Sequence, residues 1–521
     1  MCSGKSGVTL GLGAWTIVRP ASLPACSTGT TASRVTCSAR SSQLSMKWLS
    51  QVSTRTSAVC STGRRISTSR RTKCSSRQDR PSAGLTWKYC TVRSNAPMRC
   101  LHVVWPPSLL TSDGWANLWP MTDRTVDQSW ALYDRASAII PMGTQTHSKA
   151  PRDVLRGTEP CYLRRGKGCR VWDVDGNEYI DFRCGLGPIT LGYAIPEVDE
   201  AVARQLVGGV VFSYAHPLEV EVAENLVDII PCAESVRFLK TGGEAMAATH
   251  RLARGFTGRD HILTCGYHGW VNAMGGSGVP EAINSVYHAL PWGNLSPFEA
   301  AFDELGSDNI AAVSVACSYA DIELGHQFLP ALRDLTERHG ALLIFDEIVT
   351  GFRLARGGAQ QYFDVTPDLA VFAKGMSNGV PLSAYLGRRD VMEKVRDVVI
   401  SSTFGGDTLG LAAAQAVMAI YERENVIDTL WARGLRLHEG ITAIAGRRAV
   451  PVGMAGLPPV GQIELPSAEA RVALEGECLQ RGVILYSVVY PNFSHTDADV
   501  DQALGVIDEA LAAVQRRGLL D

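Results

Sequence analysis

The sequence predicts an α/β fold: a large domain with a mostly parallel sheet between helices, plus a smaller α+β domain. Three patterns carry that expectation. Between residues 218 and 372, short apolar runs alternate with helical stretches, the rhythm of repeated β–α–β units. Those runs are apolar throughout, as in strands covered on both faces. Towards the C-terminus the rhythm changes to short strands and one long helix. The expected divisions are a basic segment, 1–120; an N-terminal segment with a β-hairpin, 121–190; the large domain, 191–430; and the small domain, 431–521.

In order along the chain, Ser129 to Ile140 has helical periodicity and ends at Pro141. Cys169 to Phe182 alternates around Asp175-Gly176, a hairpin signal. Leu218 to Ile230 and Ala245 to Phe256 read as helices, the second ending near Gly258. His261 to Thr264, Ala311 to Val315, Ala341 to Phe345 and Leu369 to Phe372 read as buried strands, with a helix from Pro330 to His339 between two of them. Gln462 to Leu465 and Val483 to Val488 look like strands, and Ala498 to Arg516 like a long helix.

The 521 residues are 45% hydrophobic and 20% charged, enough for a sizeable core. No apolar run is long enough for a membrane span, so no membrane partner is expected. The net charge of −2 conceals a split: residues 1–120 hold 16 Lys/Arg and 2 acids, the remainder 34 Lys/Arg and 50 acids. That first segment also holds 35 Ser/Thr and 7 of the 14 cysteines, without strand or helix periodicity. We expect it to be foreign to the native protein, with Met121 opening the ordered part. A transit peptide, a secretory or lipoprotein signal around Leu23 to Cys26, and a basic nucleic-acid-binding tail are the alternatives. The tail lacks interleaved aromatics, and no nucleic-acid partner is expected. The other seven cysteines are scattered and lack metal spacing, which fits a reduced cytoplasmic protein without a metal.

Three motifs carry chemistry. Leu342 to Asp346 is an apolar strand delivering an acid at its C-terminal end, where α/β sheets place ligands. Glu347 beside it either orients the site or makes a structural salt bridge. Leu369 to Phe372 delivers Lys374 into a glycine-rich turn; a desolvated lysine there suits Schiff-base chemistry. Lys240 is the one serious rival among the five lysines after residue 120. Thr241-Gly242-Gly243 opens the Ala245 helix, where backbone N–H groups can cradle an anion. Each motif alone has an ordinary structural reading. Together, a phosphate cradle, an acid and a lysine at strand ends of one sheet match pyridoxal 5′-phosphate, whose pyridine nitrogen Asp346 would hold protonated. Tyr267 can stack on one ring face and Ile348 can pack on the other. His268 reads as a hydrogen-bonder beside Tyr267. Residues 275–294 can form a lid or an ordinary surface loop.

The run from Phe345-Asp346-Glu347 to Ala373-Lys374-Gly375 resembles the signature of class III, fold type I pyridoxal-phosphate aminotransferases. The resemblance spans 121–521 and is strongest over Tyr179 to Gly406. Within the class the chain is similar to glutamate-1-semialdehyde 2,1-aminomutase and its aminotransferase cousins. Gly357 to Gln360, Tyr267-His268-Gly269, and Arg165 to Gly168 followed by Val171 to Gly176 carry that likeness. It implies a seven-stranded type of sheet, Lys374 as Schiff-base lysine and proton shuttle, and Asp346 on the pyridine nitrogen. It implies Thr241, Gly242 and Gly243 at the phosphate, and Thr403 reaching the phosphate of a neighbouring subunit in an obligate homodimer with interface sites. Candidate substrate residues are Lys149, Leu186 and Gln360. Lys149 stands where the aminomutase has an arginine, and lysine lacks the bidentate fork. Leu186 stands where it has a tryptophan. Thr241-Gly242-Gly243 replaces Ser-Gly-Thr, and Asp407-Thr408 replaces Asn-Pro. These departures favour an aminotransferase with an amine donor and a carbonyl acceptor, with the aminomutase as runner-up and a non-catalytic relative as a remote third.

Overall fold

In a computed structural model, residues 124–271 and 277–520 are described. The expectations for 1–120 lie outside the described residues. The chain enters through a helix, Asp127–Ser137. Its first free N–H groups are capped from afar: Asp175 of the hairpin turn accepts from Gln128 and Ser129 at 2.8 and 2.9 Å. The helix ends three residues before the expected Ile140. Strands β1 (Leu163–Lys167), β2 (Arg170–Asp173) and β3 (Glu178–Asp181) then form an antiparallel meander. The β2–β3 hairpin is the one read from Asp175-Gly176. Strand β1 went unread, because its run Leu-Arg-Arg-Gly-Lys carries no apolar alternation.

The large sheet comprises β4 (Ser235–Leu239), β5 (His261–Cys265), β6 (Tyr287–Ala289), β7 (Ile310–Val315), β8 (Leu342–Asp346), β9 (Leu369–Phe372) and β10 (Ser383–Gly387). Its order is β4-β10-β9-β8-β7-β5-β6; only β10 runs against its neighbours. The apolar character of the central strands follows from burial on both faces. In β8, Leu343 and Phe345 join one core cluster while Leu342 and Ile344 join another; in β9, Ala370 and Phe372 divide from Leu369 and Val371 in the same way. Strands β4 and β6 lie at the sheet edges, and β6 is three residues long, too short to show a period.

The helices Pro217–Ile229 and Gly242–Thr257 lie within a few residues of their expected bounds. The helix expected from Pro330 starts at Gly325 instead, with Pro330 inside it at the cost of one backbone bond. Residues 281–289 of the suggested lid form a one-turn helix and edge strand β6, so this part belongs to the sheet; 275 and 276 lie outside the described residues.

Beyond the sheet, β11 (Gly453–Leu457) and β12 (Val460–Glu464) form a hairpin. The single strand expected over Val483 to Val488 divides into β13 (Val483–Ile484), parallel to β3, and β14 (Val488–Val489), paired with β12. Its two halves serve different sheets, which one-dimensional periodicity cannot reveal. Helices Val426–Arg448, Ala468–Gln480 and Asp497–Arg516 bury their apolar faces with Ile180 and Phe182 in a separate core.

Candidate active site

Strands β4, β5, β7, β8 and β9 run in one direction, so their C-terminal ends share one edge of the sheet. A cavity of ≈ 700 Å³ opens there. Thr241 to Glu244 after β4, Tyr267 after β5, Ala316 to Tyr319 after β7, Asp346 ending β8 and Lys374 after β9 all line it.

Asp346 is buried, and each carboxylate oxygen has a partner. Oδ1 accepts from the Ile348 N–H at 3.1 Å, and Oδ2 lies 2.9 Å from His268 Nδ1. His268 is fully buried, and its Nε2 faces the Ser314 carbonyl at 3.2 Å. A carbonyl only accepts, so Nε2 carries hydrogen. A hydrogen held between Nδ1 and Oδ2 joins the two groups.

Lys374 opens a 3₁₀ turn, Lys374–Ser377, with φ +45, a left-handed conformation rare outside glycine. Burial pushes its amine down to about 8; the Asp346 carboxylate opposes that shift and the Arg353 guanidinium adds to it. Lys240 differs: its ammonium pairs with Asp407 and donates to the Pro381 carbonyl. Lys240 also stands outside the cavity lining, which removes the rival.

Thr241 caps the 16-residue helix Gly242–Thr257 in a reciprocal capping box: its hydroxyl accepts from the Glu244 N–H at 3.3 Å, and the Glu244 carboxylate accepts the Thr241 N–H at 2.9 Å. The first N–H groups of the helix, at Gly242 and Gly243, lack intrahelical acceptors and carry the positive end of the helix dipole. Space requires glycine at 242 and at 269, whereas a Cβ on Gly243 would meet nothing closer than 3.7 Å. A Cβ on Gly242 would lie 2.3 Å from Ile348 Cδ1. Gly243 Cα would be 2.9 Å from a Cβ on Gly269, whose φ is +91. Tyr267 and Trp270 stand 69% and 83% exposed at the mouth.

Thus Thr241, Gly242, Gly243, Tyr267, Asp346, Ile348 and Lys374 surround one cavity, with His268 directly behind Asp346. Thr403 is exposed and outside the lining. Lys149 lines a different cavity. Leu186 is half-buried with φ +77 and lines neither. Gln360 is buried away from the cavity, accepting the Cys232 N–H at 3.0 Å. Its partner Glu347 has no cation at ion-pair distance among the described residues. It accepts the N–H groups of Ala359 and Gln360 at 2.7 and 2.9 Å and the Thr350 hydroxyl, fastening the loop after β8 to the next helix turn. Sequence reasoning missed Cys317, Ser318 and Tyr319, although they follow a strand it had read; the strand-end rule applied to β7 would have found them. It also passed over Arg353, which is fully buried and donates to the carbonyls of Gly187, Pro459 and Pro491. Those acceptors are scattered along the chain, so no local pattern marks them.

An amine held near neutrality, a buried carboxylate and a helix N-terminus that glycine alone permits are the three groups that pyridoxal 5′-phosphate needs, and the residues present fit it. The fold and site therefore define a pyridoxal-phosphate-dependent α/β enzyme of amino-group chemistry. The sequence profile of the class-III aminotransferases matches residues 154–511. A 3-aminobutyryl-CoA aminotransferase of Cloacimonas acidaminovorans is 33% identical, over 75% of this chain and 98% of its own length. A glutamate-1-semialdehyde 2,1-aminomutase of Syntrophobacter fumaroxidans is 34% identical, over 75% and 99%. The solved FumI protein of Sphingopyxis sp. MTA144 matches 75% of this chain and 97% of its own with a TM-score of 0.70 at 28% identity. An omega-transaminase from Sphaerobacter thermophilus matches 74% and 98% with a TM-score of 0.68 at 26%. The chain belongs to the class-III aminotransferase family. Among the described residues, no helix is long and apolar enough to cross a membrane, and no group of three His, Cys, Asp or Glu is placed to hold a metal ion.

Proposed function

We propose that the chain is an intermolecular aminotransferase. In two half-reactions it takes an amino group from an amine donor, then gives it to a separate carbonyl acceptor, a sugar-like or secondary-metabolite ketone or aldehyde. One observation supports this above the others: among the described residues Lys374 is the only cation lining the cavity, so none of them offers an arginine or second lysine there to grip an acceptor carboxylate. Bound pyridoxal phosphate supplies the electron sink for the pair left when a C–H bond beside nitrogen breaks. We assign Lys374 Nζ to hold the cofactor and to carry the proton, an amine able to do both because burial keeps it near neutrality. Asp346, oriented by His268, holds a proton on the pyridine nitrogen. The N–H groups of Gly242 and Gly243 take the phosphate, with Thr241 beside them. Tyr267 and Ile348 flank the ring.

We further propose a homodimer in which Thr403 reaches the neighbouring site, and a cytoplasmic location. Val207, Phe212, Tyr214 and Phe404 expose an apolar surface that supports the dimer. Seven free cysteines among the described residues support a reducing compartment. Intramolecular transfer is the second reading, favoured by the aminomutases among the relatives. Titrating the full chain with L-glutamate tests the choice. Loss of the bound cofactor's visible band with one equivalent of 2-oxoglutarate released supports an aminotransferase. Relocation of the amino group within glutamate 1-semialdehyde, without any donor, replaces that reading with the aminomutase.

A further inference from the structure

The helix Gly242–Thr257, which begins at the two glycines, carries a histidine about two turns further on. His250 is 1% exposed, on a helix that also buries Ala245, Met246, Leu252 and Ala253. Its Nε2 lies 3.0 Å from the Ser314 hydroxyl on β7. Its Nδ1 is buried without a hydrogen-bond partner among the described residues. Burial drives the imidazole well below its ordinary pKa, and His268 and Arg254 add to that shift, so the ring stands neutral. Leaving one buried nitrogen unpaired costs about as much as the other nitrogen's hydrogen bond returns. Stability therefore does not account for a histidine at this position.

What the histidine touches does. Ser314 is fully buried and engaged twice: its hydroxyl meets His250, and its carbonyl takes the Nε2–H of His268 at 3.2 Å. The two imidazoles also meet directly, nearly perpendicular at 82°, with centroids 6.2 Å apart. Tyr287 of β6 packs on the same His250 ring at 5.7 Å. His268 is thus held at Nδ1 by Asp346, and at Nε2 by the residue to which His250 is bonded. The orientation of an imidazole bonded to a carboxylate is set by what its other nitrogen meets.

We propose that His250 is a positioning residue: with Ser314 it fixes the His268 ring, and through that ring the Asp346 carboxylate that faces the pyridine nitrogen. The line of contacts runs from the helix through His250, Ser314 and His268 to Asp346. The same helix presents the N–H groups of Gly242 and Gly243 at its start. One rigid element then sets both ends of the cofactor, the phosphate directly and the ring nitrogen through His250. The inference rests on the assignment of Asp346 to that nitrogen, and not on the choice between aminotransferase and aminomutase.

Two readings on the full chain test it: equilibrium dialysis of pyridoxal phosphate, and the ratio of the bound cofactor's visible to near-ultraviolet absorbance. A proton on the pyridine nitrogen raises that ratio. His250→Leu keeps the bulk without the hydrogen bond. It should lower the ratio and weaken cofactor binding about fivefold, the worth of one hydrogen bond. Ser314→Ala removes only the hydroxyl and should repeat both losses, so the test survives any disturbance of folding by His250→Leu. His250→Gln can place a polar atom where Nε2 stands and should restore both readings. In His268→Asn the amide still donates to Asp346 but falls short of the Ser314 carbonyl. Adding His250→Leu there should change neither reading further. Wild-type readings in both His250→Leu and Ser314→Ala, no recovery in His250→Gln, or full additivity with His268→Asn overturns the proposal. Asp346→Asn separates it from the reading beneath it. If that variant matches wild type in both readings, the assignment of Asp346 to the nitrogen falls and this proposal falls with it. If it does not, that assignment stands and the His250 and Ser314 variants decide alone.

Discussion

Lys374 is the residue to which we assign the chemistry, and its environment makes a measurable claim. Burial brings its amine to about 8 from an ordinary 10.5. A nucleophilic amine must be neutral. The rate at which the cofactor-free chain takes up pyridoxal phosphate should therefore rise with pH and level off near pH 8. A rise continuing towards pH 10.5 would show an ordinary exposed lysine. Folding carries the same sign: the folded chain binds fewer protons than the unfolded one between those values, so this group adds stability as pH climbs through that window. Asp346 makes a second claim. Its Oδ2 has His268 as partner, and both groups are buried. His268→Phe leaves a buried carboxylate short of a donor, a change that costs about 3–5 kcal/mol when one side of a buried ion pair is removed. Denaturant unfolding should report that loss, and His268→Leu should repeat it. A midpoint unmoved in both variants would mean that the pair contributes nothing to stability.

At the scale of elements, the phosphate cradle we propose rests on a contact between two glycines on different segments. Gly243 begins a helix and Gly269 follows β5, and a methyl on the second would sit 2.9 Å from the Cα of the first. Gly269 also holds φ +91, so Gly269→Ala is strained by conformation as well as space. We expect the variant to fold and to bind pyridoxal phosphate at least tenfold more weakly by equilibrium dialysis, because the helix end must shift before any more distant part does. An unchanged affinity would place the phosphate elsewhere. The Gly242-Gly243 half of this contact was legible in sequence, as was the strand–acid and strand–lysine pairing, because each is a local pattern with a local cause. The Gly269 half was not, since nothing near residue 269 signals what lies across from it. Glu347 and Gln360 were legible as polar residues next to a site, yet they bind each other and the backbone, an arrangement only packing reveals. Edge strand β6 escaped for want of length, β4 because Ser235 and Arg237 interrupt its apolar run, and β13 with β14 because one apolar run serves two sheets.

At the scale of the molecule, the central question is what covers the apolar surface near the cavity. Val207, Phe212 and Tyr214 are 87%, 46% and 91% exposed, and Phe404 is 59% exposed. These residues belong to one neighbourhood: the Thr408 N–H donates to the Val210 carbonyl at 3.0 Å, joining the 207–214 stretch to the loop that bears Thr403 and Phe404. Isolated apolar side chains on a surface need no explanation, but a cluster of aromatics marks an interface. A second copy of the chain is the occupant we propose, and the dimer then brings Thr403 of one subunit towards the phosphate cradle of the other. Two quantities should fall together. Phe212→Glu with Tyr214→Asp should halve the mass seen by light scattering while far-ultraviolet circular dichroism stays unchanged. The same double variant should lose affinity for pyridoxal phosphate, although neither residue lines the cavity of its own subunit. Thr403→Val should weaken cofactor binding without changing the mass. If the double variant becomes monomeric and still binds the cofactor at wild-type affinity, each subunit completes its own site and the cross-subunit role of Thr403 is wrong. If it stays dimeric, the interface lies on another face.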